Sequence, residues 1–208
     1  GAPGGGYVGT GGWSGGYTST SGASSGGAAP VGNCDVYDEF TIRTQADADY
    51  IAGCSIIHGL YVADVDEPLV IDWPALTTVN GELHFARASK LTRISIPNLR
   101  LLNGELYMKG NAALKTVELP GLVKISGDPD LNSAILVQDN PKLTTLAFSL
   151  DLRVKGFTRV KDNPLLCNVE NLVTLYRSNE LSPIELGLPD CAFPPDPSYG
   201  GAGGSADF

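Results

Sequence analysis

The sequence predicts an all-β protein, a right-handed parallel β-helix of about five 23-residue coils with a short capping helix at each end. Three observations predict this fold. One pattern is written four times and begun a fifth, its apolar positions are spaced by two residues, and three strands with three corners in 23 residues leave no room for a helix in the coil. A fixed period of this length is typical of solenoids, whose repeats bury their apolar faces on one another.

The repeats keep one period once a single insertion is removed. The copies begin at His58, Gly81, Gly104, Ser133 and Gly156, and the offsets between them are 23, 23, 29 and 23 residues. The long step contains a six-residue insertion, residues 128–133, directly after Gly127. The underlying period is therefore 23 residues throughout.

The apolar columns predict three short strands in each coil. The first strand carries two columns with the spacing of one buried strand face: Leu60, Leu83, Leu106, Ile135 and Thr158, then Val62, Phe85, Met108, Val137 and Val160. The second strand carries the columns that begin at Pro68, Ile71 and Trp73, and it ends at Pro74, Pro97 and Pro120. The third carries Val79, Leu102, Ile125 and Val154, each two residues before a glycine corner. We therefore expect three parallel sheets with in-register columns.

The same residues resemble a known family. The order G-x-L-x-apolar, an asparagine corner at Asn111, Asn140 and Asn163, apolar-P-x-L and a closing I-x-G is similar to the receptor L-domain-like repeat, which is related to leucine-rich repeats. That family includes the ligand-binding L domains of the insulin and EGF receptors, fungal cell-wall glycoproteins and secreted bacterial proteins. The resemblance covers Cys34 to Cys191 and implies an extracellular binding domain, but it carries over no individual binding residue.

Four cysteines bracket the two ends of the predicted solenoid. Four cysteines allow three pairings. Because the ends of the solenoid lie far apart, we expect Cys34 to pair with Cys54 and Cys167 with Cys191. Disulfides persist in oxidising compartments, so the sequence predicts a secreted or cell-surface protein. A metal site is disfavoured because the chain has no C-x-x-C and only two histidines.

Each cysteine pair encloses a predicted capping helix. Thr44 with Asp47 resembles a capping box that opens a helix over residues 45–52. Asn168 is the candidate N-cap of a second helix over residues 169–177. A helix across each open end would cover apolar core and unpaired strand edge.

The folded domain is expected over residues 34–191, between a Gly/Ser-rich flexible tail (1–33) and a Pro/Gly-rich tail (192–208). A net charge of −9 disfavours nucleic acid and anionic membranes as partners. No apolar run is long enough to span a bilayer. The first tail is expected to be a cell-surface tether, but an alternative role as an assembly arm stays open because it carries aromatic residues that a simple spacer does not need: Tyr7, Trp13 and Tyr17.

The outward positions of the first sheet are the candidate binding site. Strand alternation places one row of large side chains on this face. The neighbouring outward column contains Glu82, Glu105, Ala134 and Phe157. The candidate binding residues are Tyr61, His84, Tyr107, Leu136, Phe157 and Arg159. The second sheet presents small or charged residues instead: Asp72, Arg93, Ser95, Thr116, Glu118 and Thr145. The row is also compatible with a solvated sheet whose aromatics serve stacking alone.

Two possible chemical sites are weaker. Glu82 and Glu105 on adjacent coils have the spacing of a retaining glycosidase pair, but so does any pair of adjacent positions in a β-helix. The insertion places Asp128, Asp130 and Asn132 in an order that imitates a calcium loop, yet a polar turn is favoured because the central glycine is absent. The sequence therefore predicts no catalysis, no cofactor and no metal.

Two functions remain open from the sequence. The first is an extracellular or cell-surface binding module that recognises a protein or a glycan through the aromatic face of the first sheet. The alternative is a structural subunit of a cell-surface filament or layer that assembles with further copies of itself through the tail, residues 1–33.

Overall fold

The computed structural model describes residues 31–34, 40–65, 67–169, 172 and 184–189. In chain order the elements are β1 (Gly32–Asn33), β2 (Thr41–Ile42), α1 (Gln45–Tyr50), β3 (Cys54–Ile57), β4 (Leu60–Val62), β5 (Leu69–Asp72), β6 (Thr78–Val79), β7 (Leu83–Ala86), β8 (Leu91–Ser95), β9 (Leu101–Leu102), β10 (Leu106–Lys109), β11 (Thr116–Leu119), β12 (Lys124–Ile125), β13 (Ser133–Gln138), β14 (Thr145–Phe148), β15 (Arg153–Val154), β16 (Phe157–Lys161) and β17 (Ile184–Leu186).

The strands form three parallel sheets that wind into a β-solenoid of about six turns. The first sheet has the order β2-β4-β7-β10-β13-β16-β17, the second β5-β8-β11-β14 and the third β1-β3-β6-β9-β12-β15. Each strand therefore pairs with the equivalent strand one coil away. The predicted fold class is confirmed. The expected tail, residues 1–33, includes β1, which pairs with β3 of the third sheet.

The inward columns meet in one continuous core. Both columns of the first sheet are buried along their whole length, from Leu60 to Thr158 and from Val62 to Val160. The register pairs Leu83 with Leu106 and Phe85 with Met108, as the columns predict. Side chains therefore stack on their equivalents rather than on residues from distant parts of the chain.

The prediction for Pro68 is wrong. Pro68 is exposed, and Leu69 is buried opposite Leu91 in its place. The register between β5 and β8 then shifts, because Val70 pairs with Arg93 and leaves one residue of β8 without a partner in β5. A β-bulge thus restores the register within the first coil.

Three buried asparagines form a hydrogen-bonded ladder between the first and second sheets. Asn140 Oδ1 accepts hydrogen bonds from Asn111 N and Asn111 Nδ2, both at 3.0 Å. Asn140 Nδ2 donates to Met108 O at 3.1 Å, to Gln138 O at 2.9 Å and to Asn163 Oδ1 at 3.0 Å. At the N-terminal end of the ladder, Asn111 Oδ1 accepts from Ala88 N at 3.0 Å. The side-chain amides therefore satisfy backbone groups that the corner would otherwise leave unpaired inside the core.

In all five coils the residue before this corner has a left-handed backbone, including the first two coils, which have Val65 and Ala88 in place of an asparagine. The values of φ are 48° at Asp64, 52° at Arg87, 71° at Gly110, 57° at Asp139 and 57° at Asp162. Glycine and aspartate tolerate this region better than other residues. The recurring Asp-Asn pair, Asp139-Asn140 and Asp162-Asn163, is the sequence signal for this geometry.

The N-terminal end is closed by α1 and one disulfide. The capping box is present, since Thr44 Oγ1 accepts from Asp47 N at 3.2 Å and Asp47 Oδ2 accepts from Thr44 N at 2.9 Å. Trp73 Nε1 donates to Ala48 O at 3.0 Å and ties the helix to the core. The predicted Cys34–Cys54 disulfide is confirmed.

The Gln45 side chain also protects the free edge of β5. Its amide accepts from Val70 N at 3.0 Å and donates to Val70 O at 3.0 Å. A side-chain amide thus takes the place that a neighbouring strand would occupy.

At the C-terminal end, the sequence did not predict β17, which extends the first sheet beyond β16. Cys167 is disulfide-bonded, and its expected partner Cys191 lies outside the described residues. Most of the helix expected over residues 169–177 also lies outside them, although Val169 and Leu172 are buried.

Removing one ladder amide should destabilise the whole solenoid. Asn140→Ala leaves donors and acceptors of two neighbouring coils unpaired in the core, so we expect a loss of about 3 kcal/mol in the free energy of unfolding. Urea unfolding measures it. Asn98→Ala is the control, because Asn98 is exposed and donates a single bond to Pro74 O at 2.9 Å. Similar losses in the two variants would contradict a special role for the buried ladder.

Candidate functional site

The outward row of the first sheet is continuous in the structure. Cross-strand register joins Thr41, Tyr61, His84, Tyr107, Leu136, Arg159 and Glu185 in that order. The five candidate residues from Tyr61 to Arg159 are each half-buried. The structure thus brings together the row that the sequence placed on this face and extends it by one residue at each end.

Three rings of the row stack on one another. The ring centroids of Tyr61 and His84 lie 4.5 Å apart, and those of His84 and Tyr107 lie 4.2 Å apart with 12° between the planes. Burial lowers the pKa of His84 below its ordinary value, and the Arg87 guanidinium lowers it further. The imidazole is therefore neutral at neutral pH, and one of its nitrogens accepts hydrogen bonds while the other donates.

Arg159 is held by neighbouring side chains. Its Nε lies 2.6 Å from Glu185 Oε2 on β17, and its guanidinium lies 5.0 Å from the ring centroid of Phe157. Lys161 Nζ lies 3.4 Å from the other carboxylate oxygen of Glu185. The hydrogen bond from Arg159 is the main reason that the pKa of Glu185 is lowered. Arg159 thus joins the last described strand to the sheet as well as bounding the candidate face.

The sequence placed Glu105 and Ala134 on the outside of the first sheet, and this is wrong. Glu105 is 5% exposed and Ala134 is fully buried. The insertion folds over this column, and Ser133 Oγ donates to Glu105 Oε1 at 2.5 Å. Burial raises the pKa of Glu105; the hydrogen bond from Ser133 opposes this effect, and the nearby Asp128 carboxylate adds to it. Glu105 therefore does not share an open surface with Glu82.

The insertion is a polar turn closed by its own backbone. Asp128 N donates to Ser133 O at 2.6 Å, and Asp128 Oδ1 accepts from the backbone N–H groups of Asp130 and Leu131 at 2.7 and 3.0 Å. Asn132 takes a left-handed φ of 51°. Among the described residues, no group of three or more His, Cys, Asp or Glu side chains could hold a metal ion.

The chain was compared with known proteins and protein families. Residues 76–177 match the family model described as Receptor L domain. This stretch of the chain belongs to the receptor L-domain family. Neither a curated protein nor a solved structure matched it significantly. Receptor L domains are extracellular ligand-binding modules and are non-catalytic. Within the described part of the chain, no helix is long and apolar enough to cross a membrane.

The other faces of this receptor L domain differ from the first. On the second sheet Arg93 and Glu118 form an ion pair of 2.7 Å with exposed side chains. The expectation that Ser95 is exposed there is wrong, since it is 8% exposed. The aromatic residues of the predicted assembly arm, Tyr7, Trp13 and Tyr17, lie outside the described residues, so their role stays a prediction.

Replacing Glu105 with glutamine tests the burial of its carboxyl group. Burial raises the pKa of Glu105 in the folded protein above its ordinary value of 4.5. Between these two pKa values the folded state binds more protons than the unfolded chain. The stability of the receptor L domain should therefore fall as the pH rises from 4.5 through the raised value. Glu105→Gln keeps an acceptor for Ser133 and should lack this fall. Urea unfolding across the window measures it.

Asp151→Asn is the control for this experiment, because it removes one negative charge from an exposed position of the same solenoid. Ser133→Ala removes a donor that lowers the pKa of Glu105, so it should move the loss of stability to higher pH. The same pH dependence in the wild-type protein and in Glu105→Gln would contradict a buried, ionisable Glu105.

Proposed function

We propose that this receptor L domain is a secreted or cell-surface binding module that recognises a protein or a glycan through the outer face of its first sheet. The stacked row of Tyr61, His84 and Tyr107 carries this proposal. It continues into Leu136 and reaches the side chains of Phe157 and Arg159. Aromatic and arginine side chains are enriched at the residues that dominate interface energies.

Rigidity makes the row suitable for binding. Each ring is fixed by the strand below it and by the rings beside it, so little side-chain freedom is left to lose when a partner docks. The rings are half-buried, which leaves their outer edges for a partner. A preorganised surface of this kind binds at a lower entropic cost than a set of flexible side chains.

The geometry of the stack bears on the class of partner. A sugar binds aromatic side chains best when it lies flat on an exposed ring face. Both faces of the His84 ring are covered, one by Tyr61 and the other by Tyr107. The row therefore offers ring edges, two hydroxyl groups and a neutral imidazole, a mixture that suits protein backbone and side-chain groups and favours a protein over a glycan.

Removing the rings should weaken binding far more than folding. We expect Tyr61→Ala and Tyr107→Ala each to weaken association about thirtyfold, as loss of a dominant interface residue does. Loss of the stack costs about 1 kcal/mol of folding stability, and the melting temperature should fall by only about 3 °C. The strongest partner from arrays of extracellular proteins and glycans is titrated against each variant.

Arg93→Ala is the matched control, because it removes an exposed side chain of similar size from the second sheet. Tyr107→Phe keeps the stack and removes only the hydroxyl group, so it separates hydrogen bonding from packing. Binding losses in Arg93→Ala that equal those of the tyrosine variants would place the contact elsewhere. Normal binding by both tyrosine variants would refute the proposal.

Arg159 needs a test of its own, because its ion pair with Glu185 joins β17 to β16. If Arg159 contacts the partner directly, Arg159→Ala should weaken binding by roughly tenfold, whereas Glu185→Gln should leave binding nearly unchanged. Equal losses in the two variants would show that Arg159 acts by holding β17 in place.

A further inference from the structure

The outer face of the third sheet carries basic residues from three successive coils. Arg100 stands directly before β9, Lys124 lies in β12, Arg153 lies in β15 and Lys155 directly follows β15. All four are exposed, and we call them the basic face. The strands of this sheet contain no acidic residue.

Two of these cations lie directly opposite each other. Lys124 pairs in register with Arg153, and strands of one sheet lie ~4.8 Å apart. Like charges in such positions destabilise a sheet. Elsewhere the same solenoid places an acid opposite a base, as it does with Arg159 and Glu185. Among the described residues, no ion pair neutralises any of the four cations of the basic face.

The position of these cations contrasts with the charge of the chain. The protein has a net charge of −9, and a single basic residue, Arg43, precedes Arg87. Residues 87–161 contain 12 of the 14 lysines and arginines. Positive charge is therefore concentrated after the first coil, and a broad anionic surface such as a membrane or a duplex would meet repulsion from the acidic N-terminal part of the solenoid.

A ladder of polar side chains runs beside the basic face. Asn103 Nδ2 donates to Asn80 Oδ1 at 3.2 Å, and Ser126 Oγ donates to Asn103 Oδ1 at 3.4 Å. Lys155 continues this column, because Ser126 and Lys155 take equivalent positions: their backbone N–H groups each donate at 2.9 Å to the preceding coil, at Leu102 O and Ile125 O. Amide and hydroxyl groups thus form a column along the solenoid axis that ends at the cation Lys155.

We propose that the basic face binds a linear acidic polysaccharide that lies along the solenoid axis. A carboxylate between Lys124 and Arg153 would replace their repulsion by two attractions, and the arginine can hold it through two parallel hydrogen bonds. The neighbouring asparagines and serine supply donors and acceptors for sugar hydroxyl groups. A single polymer chain contacts a narrow row of the surface rather than a broad area, and acidic polysaccharides are polyanions of the extracellular space.

The test uses polygalacturonate, a linear polymer with one carboxylate on each sugar, and the full-length protein. The wild-type protein should bind it with an affinity that falls as the salt concentration rises, and it should not bind the fully methyl-esterified polymer. The double variant Lys124→Gln/Arg153→Gln should bind at least about tenfold more weakly. Its melting temperature should be unchanged or higher, because the repelling pair is gone.

The matched control is Lys115→Gln/Lys142→Gln, which loses the same two charges from exposed positions beside the second sheet. It should bind like the wild-type protein, and so should Tyr107→Ala, whose defect belongs to the other proposed face. If the two double variants lost equal affinity for polygalacturonate, net charge alone would explain the binding, and the proposal would be overturned.

Other outcomes would also overturn it. Binding of duplex DNA or of anionic phosphatidylserine vesicles in place of polygalacturonate would identify a different partner class. Self-association that is lost in Lys124→Gln/Arg153→Gln would show that the acidic partner is a second copy of the chain. Each of these results leaves the first-sheet proposal unaffected, because the two faces lie on different sheets and are tested with separate variants.

Discussion

Hydrogen bonding between equivalent residues of successive coils is the constraint on which the structure depends. Each strand has its own counterpart as its neighbour, so every side chain lies above or below its equivalent. The buried ladder of Asn111, Asn140 and Asn163 holds this register at the corner where the chain leaves the first sheet. A shift of one coil against the next would leave several amide groups unpaired in an apolar core, so the ladder permits one alignment only.

The same regularity creates open ends that need protection. A solenoid exposes apolar core and unpaired backbone wherever the stacking stops. At the N-terminal end the Cys34–Cys54 disulfide, the Trp73 indole and the Gln45 amide hold α1 across the opening. These groups differ in chemistry, but each compensates for the coil that is missing there.

Register also decides what the outer faces can do. Because outward residues lie one strand apart, similar side chains on successive coils interact closely. Rings at Tyr61, His84 and Tyr107 stabilise one another as a stack, whereas the cations Lys124 and Arg153 repel. The first arrangement favours a rigid contact surface, and the second needs an anion to be neutralised. One scaffold thus presents two surfaces of different chemistry.

The sequence alone determined the period, the three sheets, the inward columns, the N-terminal capping box and the candidate row, because each depends on residues whose spacing repeats. Only the tertiary structure decided what breaks the repeat: the bulge that buries Leu69 in place of Pro68, the insertion that covers Glu105 and the strand whose Glu185 holds Arg159. These features depend on contacts between one coil and a segment without a counterpart in the others, and no periodic pattern records such contacts.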